Sequence, residues 1–269
     1  MIRIKGKEIK PIIFPDGTKL IKCECPSYYA HIDWYYESDD ELVTLMFIAH
    51  QFKELGIEMH LFMPYIPNAR FDRVKNENEI FTLKSFAKII NSLNFEYVTV
   101  LDPHSYVSEA LINRLEICSS KDIIKSFIDK NFLDDCSLNK FALFFPDEGA
   151  MKRYSGMFKI PYTFGLKKRD WETGEIRGLD IVGDETFIKG RKVLIVDDIC
   201  SRGGTFYHSA KKLKELGAEE VYLYVTHCEN TILEGNLLTS GLIEKVFTTN
   251  SIFTKEHEMI EVFDLKGEE

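Results

Sequence analysis

The chain has 269 residues, 45% of them hydrophobic and 29% charged, with a formal net charge of −9. That length suits one large domain or two modest ones, each able to bury a core. The acidic balance argues against a broad nucleic-acid-binding surface. No apolar run approaches the roughly 18–20 residues that a membrane helix requires, and Met1-Ile2-Arg3-Ile4-Lys5 lacks the long apolar core of a secretory signal. The six cysteines are scattered. Cys23 and Cys25, one residue apart, suit one face of a strand better than a metal-ligand pair, so all six are read as reduced thiols in a cytoplasmic protein.

In chain order, amphipathic patterns predict helices over 40–55, 80–93, 107–115, 122–130 and 205–216. In the last, Phe206, Ala210 and Leu213 share one face, and Gly217 stops the helix. Between them lie Val98-Thr99-Val100-Leu101, Phe141-Ala142-Leu143-Phe144-Phe145, Lys192-Val193-Leu194-Ile195-Val196 and Val221-Tyr222-Leu223-Tyr224-Val225. These short runs of β-branched and aromatic residues read as strands buried on both faces. Alternation of strands and helices predicts an α/β protein with mainly parallel sheets flanked by helices. Two halves are expected, 1–128 and 129–269, with a seam near the acidic Asp134-Asp135 and an active site in the cleft between them. Active sites in such sheets lie beyond the carboxyl ends of strands.

The most informative segment follows the strand at Lys192: Asp197-Asp198-Ile199-Cys200-Ser201-Arg202-Gly203-Gly204-Thr205, then a helix. Gly203 and Gly204 let the backbone approach a ligand closely. The helix start offers unpaired N–H groups and a partial positive charge, which suit a phosphate, and Ser201 and Thr205 add hydroxyl donors. Asp197 and Asp198 suit neighbouring sugar hydroxyls or a metal ion. Hydroxyls at one end and phosphate at the other describe a sugar phosphate. The plainer alternative is a capped helix after a buried strand.

Other strand ends carry chemistry with less specificity. In Met63-Pro64-Tyr65-Ile66-Pro67-Asn68-Ala69-Arg70-Phe71-Asp72-Arg73, two arginines bracket an aspartate and can hold a polyphosphate, or can form a surface ion-pair loop. His104, after Val100-Leu101-Asp102-Pro103, can ligate Mg2+, contact phosphate or sit at a helix start. Asp147, after Phe144-Phe145-Pro146, can be a metal ligand or a helix cap. Lys167-Lys168-Arg169, followed by a polar stretch with Gly174 and Gly178 such as a mobile flap uses, can neutralise charge in phosphoryl transfer or be solvated surface.

The Asp197–Thr205 segment resembles the ribose-5-phosphate loop of the type I phosphoribosyltransferase superfamily. The whole ordered set, from about Phe14 to Phe253, closely resembles the ribose-phosphate diphosphokinase (phosphoribosyl pyrophosphate synthetase) family. It includes Phe14-Pro15-Asp16-Gly17, Thr226-His227 and Thr248-Thr249-Asn250-Ser251-Ile252. The resemblance implies two phosphoribosyltransferase-like halves, the ATP side in 1–128 and the ribose-phosphate side in 129–269. It implies Mg2+-dependent transfer of the β,γ-diphosphate of ATP to the 1-hydroxyl of ribose 5-phosphate, without a covalent intermediate. Arg70, Asp72 and Arg73 take the ATP site, while His104 and Asp147 organise Mg2+. Lys167 and Arg169, with His104, act in catalysis. Asp197 and Asp198 bind the ribose hydroxyls, and Ser201, Arg202, Gly203, Gly204 and Thr205 surround the 5-phosphate. Phe14 and Asp16 match a loop reaching the adenine of a neighbouring subunit, which implies a homodimer or larger assembly and no nucleic-acid or membrane partner.

The chain departs from the family pattern at Thr18, Phe71, Val74 and Ser201, and in lacking counterparts of the first strand and last helix. Those departures bear on nucleotide choice, hexamer assembly and control by phosphate and ADP. Three other readings follow from the same residues. One is diphosphate transfer to a larger acceptor such as ADP-ribose, as in NAD salvage, with Arg202 meeting the extra phosphate. Another is a phosphoribosyltransferase, and the third is a non-catalytic subunit associated with a synthetase.

Overall fold

The computed structural model of the protein describes residues 1–169 and 176–265, and the side chains of 167–169 and 176–179 lie outside that description. The chain divides into two compact units, Met1–Ser119, to which Leu265 returns, and Ser120–Asp264.

The first unit begins with β1 (Ile2–Ile4), β2 (Lys7–Glu8) and a small hairpin of β3 (Ile12–Ile13) and β4 (Lys19–Leu20). There follow β5 (Tyr29–Trp34), α1 (Asp40–Glu54), β6 (Glu58–Phe62), α2 (Thr82–Ser92), β7 (Tyr97–Leu101), α3 (Val107–Leu111) and β8 (Leu115–Cys118). The sheet order is β2-β1-β5-β6-β7-β8, with β5 through β8 parallel. Period-two alternation puts Ala30, Ile32, Trp34, Met59, Leu61, Val98 and Val100 in one core with Leu45, Ile48 and Phe52 of α1 and Leu83, Phe86 and Ile90 of α2. Full burial of each large side chain stabilises the fold by about 1.5–3 kcal/mol.

The opposite face is polar. The Tyr29 hydroxyl lies 3.0 Å from His60 Nδ1, and His31 Nε2 lies 3.1 Å from Asp33 Oδ1. In β7, Val98, Val100 and Leu101 are buried and Thr99 half-buried, as the apolar run suggests, and Tyr97, which precedes that run, is exposed. The helix expected over 107–115 ends at Leu111, because Arg114 takes a φ of 54° and turns the chain into β8.

The second unit contains α4 (Lys121–Ser137), β9 (Phe141–Phe145), α5 (Glu148–Tyr154), β10 (Tyr162–Arg169), β11 (Ile176–Val182), β12 (Lys192–Cys200), α6 (Gly204–Glu215), β13 (Glu220–Cys228), β14 (Lys245–Thr249) and β15 (Ile260–Phe263). The order is β11-β10-β9-β12-β13-β14-β15, parallel throughout except for β10 with β11. All five residues of β9 are buried, as its continuous apolar run predicts.

α4 is longer than its sequence pattern indicates. It places Ile124, Phe127, Ile128 and Phe132 in the second unit's core, with Phe132 stacked on Phe141 at 4.7 Å. A boundary at 128/129 therefore falls inside this helix, and the Asp134-Asp135 seam is helical. Asp135 pairs with Lys192 Nζ at 3.3 Å, so those acids mark a helix end on the sheet and not a linker. No disulfide forms among the described residues, and none of their helices is long and apolar enough to cross a membrane.

The second sheet winds in two directions from its middle. From β9 the chain passes through α5 to β10 on one side, whereas β12, the other neighbour of β9, leads through α6 to β13 on the opposite side. The carboxyl ends of β9 and β12 thus flank a topological switch point, the position at which open α/β sheets leave a crevice for ligands.

Candidate functional site

The two strands at the switch point end in acids. Asp147 follows β9 and caps α5, its Oδ1 accepting the Ala150 N–H at 3.1 Å. Asp197 and Asp198 stand near the end of β12, and Asp197 Oδ1 accepts the Asp198 N–H at 2.9 Å. Burial pushes the Asp197 carboxyl well above its ordinary value near 3.8. The negative charge and hydrogen bond of Asp198 push the same way, as does the charge of Asp147, while the Asp198 N–H opposes them. Asp198 is buried and faces Arg153, whose Nη1 lies 3.3 Å from its Oδ2. Arg153 joins the acid pair in space, a neighbour the sequence motifs do not announce. Its signal was only a basic residue on the helix that Asp147 caps.

Acids crowded in this way await hydroxyl donors or a cation. For an acid with a raised folded pKa, stability falls as pH climbs from the unfolded value through the folded one. At neutral pH the unliganded protein therefore carries a cost at Asp197. Asp197→Asn keeps the oxygen that accepts from Asp198 and removes the charge. The variant is expected to be more stable than the parent by about 1–2 kcal/mol at pH 7, with the gain shrinking as pH falls toward 4. Thermal unfolding across that range checks this; a less stable variant at pH 7 would refute it.

Beyond Asp198 the strand continues to Cys200 and the chain turns through Ser201 and Arg202 into Gly203, which takes a φ of 78° and caps α6. A side chain at Gly203 would be strained by that backbone and would meet Leu237 Cδ2 at 2.9 Å. At Gly204, by contrast, a Cβ would meet nothing within 4 Å. The N–H groups of the first turn of α6 have no acceptor within the helix, and Thr205 stands in that turn. Arg202, expected to bind phosphate, lies on the exposed rim, with Nη2 3.0 Å from Glu234 Oε2. An exposed pair of this kind is worth about 0–1 kcal/mol and opens easily.

In the first unit, a pocket of about 310 Å3 is lined by Tyr36, Tyr65, Asn68, Arg70 and Phe71, which follow the carboxyl ends of β5 and β6. The Tyr36 and Tyr65 rings lie 6.1 Å apart. Burial, with the hydrogen bond to Asp39 at 2.9 Å, pushes the Tyr36 hydroxyl up to about 12, so it stays a neutral donor. Aromatic walls with one guanidinium suit a nucleobase and its phosphates. Within the same loop Arg73 Nε lies 3.4 Å from Asp72 Oδ1.

The neighbouring strand end holds His104. There Asp102 takes a φ of 43°, an uncommon backbone for a residue other than glycine, of the kind that collects at functional sites. The Leu101 N–H donates to Pro64 O at 3.1 Å and ties this end to the Arg70 loop. Phe14 and Asp16 occupy the turn of the β3–β4 hairpin, where Asp16 accepts from the Thr18 N–H and hydroxyl at 3.0 and 2.7 Å. Among the described residues they do not line the pocket.

Lys167, Lys168 and Arg169 continue β10 and pair with β11, Lys167 opposite Leu179 and Lys168 opposite Gly178. The basic triplet is thus part of a hairpin and does not follow the strand end; residues 170–175, including Gly174 of the expected flap, lie outside the described residues. No group of three or more His, Cys, Asp or Glu among the described residues is arranged to hold a metal ion.

Fold and acid pair together define a phosphoribosyltransferase-like α/β protein. The family model described as phosphoribosyl synthetase-associated domain matches residues 170–266. The ribose-phosphate pyrophosphokinase of Pyrococcus furiosus is 30% identical over 259 residues, covering 93% of this chain and 88% of that protein. That of a Nostoc species is 27% identical and covers 99% and 84%. The chain belongs to the ribose-phosphate pyrophosphokinase family. A crystal structure of phosphoribosylpyrophosphate synthetase from Mycobacterium smegmatis, 17% identical, superposes with a TM-score of 0.78 over 96% of this chain and 86% of that one, which shows the shared fold.

Proposed function

We propose that the protein transfers the β,γ-diphosphate of ATP to the anomeric hydroxyl of ribose 5-phosphate, yielding phosphoribosyl pyrophosphate and AMP. The observation that carries the reading is the acid pair at a switch point, followed by a turn of small residues into the start of α6, where a Cβ at Gly204 would meet nothing within 4 Å. Family membership supplies the reaction class.

In this reaction the sugar 1-oxygen forms a bond to the β-phosphorus, the bond from that phosphorus to the α,β-bridging oxygen breaks, and AMP leaves with the electron pair. The hydroxyl proton passes to solvent. No covalent protein intermediate is needed, so positioning and charge neutralisation carry the catalysis. Asp197 and Asp198 orient the ribose through its hydroxyls. Ser201 through Thr205 hold the 5-phosphate, and Arg202 adds positive charge at the rim when it leaves Glu234. Arg70, Asp72 and Arg73 hold the nucleotide, and Lys167 and Arg169 neutralise charge on the moving diphosphate.

A Mg2+ ion bound with ATP would neutralise further charge. His104, after β7, and Asp147, after β9, are the residues that would hold such an ion, and an ion of this kind shares its coordination with substrate phosphates. Phe14 and Asp16 reach the nucleotide of a second copy in a dimer or larger assembly. The hairpin's exposed Ile12, Ile13 and Phe14 support that role, and the enzyme acts in the cytosol.

Incubation with Mg2+, ATP and either ribose 5-phosphate or ADP-ribose, followed by mass analysis of the products, tests the reading. AMP and phosphoribosyl pyrophosphate are expected from the first acceptor. AMP with a pyrophosphorylated ADP-ribose alone would reassign the acceptor, and no AMP from either would refute diphosphate transfer.

A further inference from the structure

The loop between β12 and α6 is held from behind by a part of the chain far from it in sequence. After β13 the chain makes a 3-10 turn, Asn230–Glu234, and reaches Gly235 in an extended conformation that any residue can adopt. Gly235 is required for a different reason. A Cβ there would stand 1.9 Å from the Arg202 carbonyl oxygen and 2.9 Å from its carbon. Those are backbone atoms of the loop and cannot swing aside as a side-chain tip can. Two residues on, Leu237 is fully buried and lies against Gly203, where a Cβ would come within 2.9–3.0 Å of its side chain. The turn is itself fixed. Ile232 and Leu237 share a core with Cys200 and Phe206, and the Glu229 N–H donates to Cys200 O at 2.8 Å.

The loop is thus packed against Gly235 and Leu237, whereas a Cβ at Gly204 would meet nothing within 4 Å. We propose that Gly235 and Leu237 are positioning residues that set the backbone of the sugar-phosphate loop and so govern affinity for the acceptor's phosphate. The inference rests on the functional reading above. It also explains two glycines by contact: Gly203 because Leu237 fills the space behind it, Gly235 because the Arg202 carbonyl does. Neither residue touches substrate, and their effect passes through the loop. Misplacing phosphate donors by a fraction of an ångström weakens their hydrogen bonds steeply, while the nucleotide loop at Arg70 lies in the other compact unit.

The test uses the full-length enzyme and initial rates of AMP release. Gly235→Ala is expected to raise KM for ribose 5-phosphate by about tenfold or more, with kcat and KM for ATP changed by less than about threefold. Leu237→Ala should shift the same constant in the same direction, and Leu237→Met, which refills the space behind Gly203, should restore it. Asn236→Ala, at an exposed neighbour, should behave as the parent. If Gly235→Ala does not fold, the Leu237 pair decides. An unchanged KM for ribose 5-phosphate in Leu237→Ala, or a parallel rise in both KM values, would overturn the proposal. If the parent releases no AMP, the functional reading fails, and calorimetric binding of ribose 5-phosphate to the parent and Leu237→Ala still tests the brace. Equal affinities, or no binding to either, would overturn it.

Discussion

Asp198→Ala is expected to reduce kcat/KM for ribose 5-phosphate by about 10²–10³-fold, with ATP affinity preserved. In the proposed role the carboxylate makes charged hydrogen bonds to the sugar hydroxyls, each worth about 1.5–3 kcal/mol, and two at the lower end of that range account for a loss of that size. A second consequence separates Asp198 from its neighbour. Arg153, 19% exposed, faces Asp198 at 3.3 Å, and removal of one partner from a largely buried pair leaves the other uncompensated. Asp198→Ala should therefore lower stability, whereas Asp197→Asn should raise it. Opposite signs at adjacent aspartates are a specific outcome, checked by thermal unfolding beside the kinetics. Equal shifts in the same direction, or an unaltered kcat/KM, would remove Asp198 from the sugar site.

Lys167→Ala should lower kcat by about 10²–10³-fold, the range found when a donor to developing transition-state charge is removed. KM for both substrates should change little, because in the proposed role the charge that Lys167 neutralises grows only as the diphosphate moves. Its backbone belongs to β10, paired opposite Leu179 of β11, so the residue is carried on a hairpin strand. Lys167→Arg should recover part of the rate through retained charge, though the planar guanidinium is not an equivalent donor. A kcat within about threefold of the parent in Lys167→Ala would exclude the assigned role.

The loop proposed to hold phosphate was legible in the sequence because its parts are contiguous: strand, two acids, small residues, two glycines, helix. The partners that shape it were not. Arg153 meets Asp198 only because β9 and β12 lie side by side at the switch point, and Gly235 meets Arg202 only because β13 pairs with β12. Neither adjacency has a local signature.

The errors have equally physical sources. Lys167-Lys168-Arg169 reads as a basic triplet at a strand end, and it is the last part of β10; what the sequence did not announce is its antiparallel pairing with β11. Asp134-Asp135 looks like a linker, yet it ends an amphipathic helix whose Phe132 is buried against Phe141. The short β8 was missed because three of its four residues are exposed, so no apolar run announces it. The apolar and aromatic pocket of Tyr36, Tyr65 and Phe71 was half visible: Phe71 and Tyr65 stand in the arginine loop, but Tyr36 joins from the end of β5 through parallel pairing with β6.

Transfer of an intact diphosphate is most directly followed with ATP carrying an isotopic label on its β-phosphorus, incubated with Mg2+, ribose 5-phosphate and the enzyme. The label is expected in the sugar product, attached at the anomeric oxygen, with AMP unlabelled and formed in equal amount. Label retained in ADP, or released as pyrophosphate without a labelled sugar, would contradict the account.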